Sequence, residues 1–133
     1  MRATVEICSA DDIPKKTRAL TEREPSGWVA LRAVDTTPGG KLRVYAGRLA
    51  GQQVPGPKER LAAELRVEPG AQVTLWVNEE YEHHLLAQSE GLRLEDTALE
   101  RGQAGKVGAG HLAVTVRNTG AETGRALLFG GVA

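Results

Sequence analysis

The amino-acid sequence predicts an all-β protein, on two observations. The first is alternation. Val73, Leu75 and Val77 alternate with Thr74, Trp76 and Asn78, and Leu112, Val114 and Val116 alternate with Ala113, Thr115 and Arg117. Apolar residues at every second position describe a strand with one buried face. The second is punctuation: such runs recur every ~8–12 residues with turn residues between them, the pattern of a sandwich or barrel. The 16 glycines are scattered, as turns between short elements require and a flexible linker does not.

In chain order, residues 3–8 read as a strand. A helix follows, with Asp12 as its cap and Pro14 in its first turn, ending before Pro25. Its apolar face is little more than Ile13 and Leu20. Residues 28–34 read as the next strand, and Leu42, Val44 and Tyr45 open another. The stretch 47–58, with Gln52, Gln53, Pro55 and Pro57, reads as the longest loop. Residues 61–67 form a strand, and the turn Glu68-Pro69-Gly70-Ala71 leads into the strand at Val73. Residues 83–89 and 92–94 flank Gly91 like a hairpin. The turn Gly108-Ala109-Gly110 precedes the strand at Leu112, and the apolar run 126–129 is closed by Gly130 and Gly131.

The 133 residues carry 17 basic and 17 acidic side chains, a formal net charge of zero, 41% hydrophobic residues and one cysteine. That is enough chain for one domain with one core. Zero net charge argues against nucleic acid or an anionic membrane as the main partner. Cys8 alone supplies neither an internal disulfide nor a zinc site. No apolar run approaches a signal peptide or a membrane span, so the expectation is a soluble, cytoplasmic protein.

From Lys41 onward the chain resembles the C-terminal cupin domain of the pirin family. The residues carrying the resemblance are Leu42-Arg43-Val44-Tyr45-Ala46-Gly47, Leu65-Arg66-Val67-Glu68-Pro69-Gly70-Ala71-Gln72-Val73-Thr74-Leu75, Gly108-Ala109-Gly110-His111-Leu112-Ala113-Val114 and Leu127-Leu128-Phe129-Gly130-Gly131. They stand in the family's order and span about two-thirds of the chain. The resemblance implies a cupin-type double-stranded β-helix, a jelly-roll barrel over 41–133, with residues 1–40 adding a strand or two as an N-terminal arm that packs on the barrel or on a partner subunit.

Catalytic cupins hold a divalent metal with two histidines and a glutamate of one motif and a histidine of a second. Anchored on Gly91, the resemblance places the first three at Asn78, Glu80 and His84, and the last at Ala113 or Val114. The set is not a metal-binding one, so the resemblance implies a cupin without a metal or other cofactor. His83 and His84 are adjacent, and adjacent side chains on a strand point to opposite faces, so they do not share one ion from an extended backbone. Glu79, Glu80 and Glu82 read as a solvated acidic loop, His111 as a turn residue, and Cys8 as an unactivated thiol. No phosphate-binding glycine loop and no nucleophile motif is present.

In the cupin register the face of Trp76 is the barrel interior, so the candidate ligand site is Trp76, Asn78, Glu80, His84 and Leu86, a mix of apolar wall and polar groups suited to a small molecule. The leading functional expectation is a binding module, for a small molecule or a protein, without catalysis. A quercetinase-type dioxygenase with an unorthodox site built from His84, Glu80 and Glu82 or His111 is the enzyme alternative, and an accessory subunit completing a two-cupin assembly is the structural one. Exposed sheet edges favour a homodimer, with residues 28–34 as its contact.

Overall fold

The computed structural model describes residues 3–33, 35 and 37–132. These form twelve strands: β1 (Val5–Ser9), β2 (Val29–Arg32), β3 (Pro38–Leu49), β4 (Gln52–Val54), β5 (Arg60–Val67), β6 (Gln72–Trp76), β7 (Glu82–Ala87), β8 (Leu92–Leu94), β9 (Thr97–Leu99), β10 (Gln103–Val107), β11 (Ala113–Asn118) and β12 (Gly124–Gly131). They pair into two antiparallel sheets. The larger runs β1-β10-β7-β12-β5-β3-β2, with β4 added on β3, and the smaller runs β6-β11-β8-β9.

The inward residues of both sheets close one core. Val73 and Leu75 of β6, Val114 and Val116 of β11, and Leu92 and Leu94 of β8 face Leu42 and Val44 of β3, Leu65 and Val67 of β5, Leu85 of β7 and Leu128 of β12. Each fully buried Leu or Val of this kind contributes ~1.5–3 kcal/mol. Strand β5 is buried almost throughout, because it lies inside the larger sheet and both of its faces are covered. On the outer face of that sheet Ile13 and Leu20 pack onto Tyr45, Ala62, Ala104 and Phe129.

The segment carrying Ile13 and Leu20 departs from the expected helix. It is a 3-10 turn (Ala10–Asp12), a four-residue helix α1 (Lys15–Arg18) and a second 3-10 turn (Ala19–Glu22). Asp12 does not cap a helix. Ser9 caps the first turn through its side chain, the Asp12 carboxylate accepts from the Ser9 N–H, and Pro14 stands at the start of α1. With Ile13, Thr17 and Leu20 as its buried residues, the segment is tied down by the sheet and not by helical propensity.

Two further expectations change. Residues 83–89 and 92–94 are not a hairpin: β7 pairs with β10 and β12 in the larger sheet, β8 with β11 and β9 in the smaller. Gly91, at φ +90, lies on the crossing between them, where an added Cβ would come within 2.8 Å of the Gly120 nitrogen. The expected loop 47–58 contains β4, which folds back on β3. The glycine-rich stretch at 102–110 supplies β10, whose Gly105 packs against Leu94 and Val5. In the first 40 residues, β1 and β2 form the two edges of the larger sheet, as the extra strands the sequence implied. Of the expected strand 28–34, Val29–Arg32 is β2, and Val34 lies outside the described residues. No helix among the described residues is long and apolar enough to cross a membrane.

Candidate functional site

The five residues expected to line one pocket are distributed over three surfaces. Trp76 is 73% exposed. Val73 and Leu75 take the interior face of β6, so period-two geometry sends Trp76 to solvent. This corrects the assignment of Trp76 to the barrel interior. Asn78 and Glu80 lie exposed in the connection from β6 to β7, where the Asn78 side-chain oxygen accepts from the Glu80 N–H at 2.9 Å. His84 and Leu86 are on β7, but on the outer face of the larger sheet: they stand in register with Phe129 and Leu127, whose side chains belong to the outer cluster.

The barrel interior instead receives His83. It shares its face with Leu85 and Ala87, is 2% exposed, and stands opposite Val107 on β10 and Gly130 on β12. The missing side chain of Gly130 makes room for it, since a Cβ there would lie 2.8 Å from the imidazole Cδ2 and 3.0 Å from Nε2. Tyr81 completes the surroundings, with ring centroids 6.1 Å apart. His83 Nε2 is buried and has no hydrogen-bond partner. Burial, reinforced by the adjacent His84, pushes its pKa down to about 4, so the ring is neutral at physiological pH.

This interior does not fit a metal. Besides His83, its one fully buried polar side chain among the described residues is Asn118, whose amide is taken up by the backbone of Val67, Gly120 and Glu122. Among the described residues no three His, Cys, Asp or Glu side chains are placed to hold an ion. Of the unorthodox alternative, Glu80 stands exposed in the connection before β7, whereas Glu82 and His84 lie together on one outer cleft. His111 lies in the turn before β11, half-buried.

His84 is 5% exposed and borders an outer cleft of about 400 Å³ with Glu6, Ile7, Cys8, Asp12, Pro14, Glu82 and Lys106. Burial lowers its pKa. Lys106 is held to Glu82 at 3.5 Å. Burial, with Asp12 and Glu6 close by, raises the Cys8 thiol, leaving it protonated at neutral pH and a poor nucleophile.

A second outer-face cluster is a connected polar group centred on Glu64, and sequence reasoning did not single it out. Glu64 of β5, 8% exposed, accepts from Arg43 Nε at 2.9 Å, from the Tyr45 hydroxyl at 3.1 Å and from Arg66 at 3.2 Å. Burial alone would raise the Glu64 carboxyl, but these hydrogen bonds outweigh it and hold the pKa below its ordinary value. Trp28 lies beside them: the Arg43 and Arg66 guanidinium carbons are 4.5 and 5.3 Å from its ring, and Lys41 Nζ is 4.7 Å away. The signal was present in the alternation of Lys41, Arg43 and Tyr45 with Leu42 and Val44, and of Glu64 and Arg66 with Leu65 and Val67. It becomes informative only once β3 and β5 are known to pair with Arg43 opposite Glu64.

No protein-family model and no curated protein matches the sequence. Solved structures do match the fold. Quercetin 2,3-dioxygenase from Acinetobacter baumannii is similar over 79% of this chain and 36% of its own length, at 17% identity and a TM-score of 0.65. A Bacillus subtilis oxalate decarboxylase mutant is similar over 85% of this chain and 29% of its own, at 21% identity and a TM-score of 0.55. The Cupin_2 domain of an XRE family transcriptional regulator from Enterobacter cloacae is similar over 69% of this chain and 97% of its own, at 15% identity and a TM-score of 0.53. The chain thus spans about a third of the enzymes it resembles. At these identities the likeness shows the fold, a cupin-type double-stranded β-helix.

Proposed function

We propose that the chain is a cupin-fold binding module without metal catalysis, whose recognition surface is the outside of the barrel. The observation supporting this reading is the interior itself. Apolar side chains from both sheets fill it, and its one imidazole has neither a hydrogen-bond partner nor companion ligands. A dioxygenase or decarboxylase chemistry of the kind named for two of the similar proteins would need donors that this interior does not offer. Kinship with the C-terminal half of pirins belongs to the same proposal and rests on the ordered sequence matches from Leu42 to Gly131. Elemental analysis of untagged protein purified from cells supplied with iron, nickel, zinc and manganese is expected to find well under one equivalent of any of them. A stoichiometric metal that survives dialysis would overturn the reading.

A homodimer is the second reading, and the edge of β2 favours it. β2 ends the larger sheet and pairs only with β3, so the other side of residues 29–31 has no strand partner among the described residues. Antiparallel pairing of this edge with its copy would cover both. Size-exclusion chromatography with light scattering is expected to give twice the monomer mass, and a monomer across the accessible concentration range would overturn it.

A further inference from the structure

We propose that the outer face formed by β3, β5 and β12 docks an acidic, extended peptide segment of a partner protein, with Lys41, Arg66 and Arg125 meeting its carboxylates. The proposal deepens the binding-module reading and rests on it. Strand register places Lys41 directly opposite Arg66, and Arg66 directly opposite Arg125. Three cations in one row across three strands are unfavourable, since like charges directly opposite each other destabilise a sheet. Glu64 answers only part of this charge, through Arg66 and the neighbouring Arg43. Lys41 and Arg125 are exposed and have no carboxylate partner among the described residues. Together the five charged groups sum to +3 in a chain of zero net charge.

The patch is also pre-ordered. Trp28 holds Lys41, Arg43 and Arg66 against its ring, and Glu64 fixes the two guanidiniums from below. An anion arriving there meets two of the three cations of the row, Lys41 and Arg66, already held in place, which reduces the entropic cost of binding. The row spans two inter-strand spacings, roughly 10 Å, while alternate side chains of an extended peptide repeat every ~7 Å. Two or three acidic residues therefore cover it. Nucleic acid is the poorer fit, because a duplex presents a charge about every 1.7 Å and rewards a longer basic track.

The test is a calorimetric titration of the full chain with a hexaglutamate peptide, at low and at physiological salt, beside a single-stranded oligonucleotide of equal charge. The expected result is saturable binding of the peptide that weakens with salt and falls about tenfold in a Lys41→Gln/Arg125→Gln variant, equivalent to ~1.4 kcal/mol. A Lys15→Gln/Lys16→Gln variant, with the same charge change on α1, is expected to bind as the parent does. Absence of saturable binding, equal affinity in the Lys41/Arg125 variant, or tighter binding of the oligonucleotide would each overturn the proposal. Metal content decides the underlying reading separately, so the two failures are distinguishable.

Discussion

Lowering the pH from about 6.5 to 4 is expected to remove ~3 kcal/mol of folding stability from the protein through His83 alone. In the unfolded chain this imidazole titrates near 6.5, and in the folded one near 4. Between those values the unfolded state takes up a proton that the native state does not. The stability contributed by the neutral, buried ring is therefore fully present above about 6.5, declines as the pH falls, and is gone by about 4. His84, also lowered by burial, adds a contribution of the same sign. In a His83→Leu variant the His83 part of this slope disappears. Because the substitution also removes a buried nitrogen without a partner, the variant is expected to unfold at neutral pH within ~1–2 kcal/mol of the parent. Denaturant unfolding of both proteins at a series of pH values checks this, with parallel curves as the contrary result.

Asn118→Ala is expected to cost ~3 kcal/mol at neutral pH, as a shift in the denaturant midpoint. Asn118 is fully buried, and its side-chain amide donates to Val67 O at 2.9 Å and Glu122 O at 2.7 Å while its oxygen accepts from Gly120 N at 2.8 Å. One side chain thus ties β11, the end of β5 and the loop leading to β12 together. Its removal leaves the Val67 carbonyl facing a small cavity, whereas Gly120 and Glu122 lie nearer the surface and recover part of the loss from water. A change of only a few tenths of a kcal/mol would show that the loop is held by other contacts.

Alternation at Val73–Val77 and Ala113–Arg117 was enough to make the fold class legible, because burial of one face is a local property of a strand. Leu112, however, expected on the buried face, precedes β11 and is 60% exposed. Pairing is not local. The run through Gly91 looked like a hairpin since its two strands are close in sequence, and only the two-sheet arrangement separates them. The same limit governed the site. Trp76 and the pair Val73 and Leu75 were correctly assigned to opposite faces, but which face lies inside depends on the facing sheet, and the resemblance pointed to the wrong one. For His83 and His84 the opposite-face argument held, with His83 inward beside Gly130 and His84 outward beneath the N-terminal turns. The Arg43–Glu64–Arg66 network joins residues up to 23 positions apart, and its register exists only in the folded sheet. The bond of Asn118 to the Val67 carbonyl, 51 positions away, likewise exists only in the folded chain.

Apolar side chains from both sheets pack the barrel interior around His83, as the proposed absence of a metal or ligand site there requires. Following the His83 imidazole by proton–nitrogen correlation NMR, during a pH titration and then during addition of zinc or nickel at neutral pH, tests it most directly. The ring is expected to stay neutral down to about pH 4, with signals that do not move with metal. A ring that titrates near 6.5, or signals that shift with one equivalent of metal, would place a solvated, ligand-accessible site where the structure has a closed core.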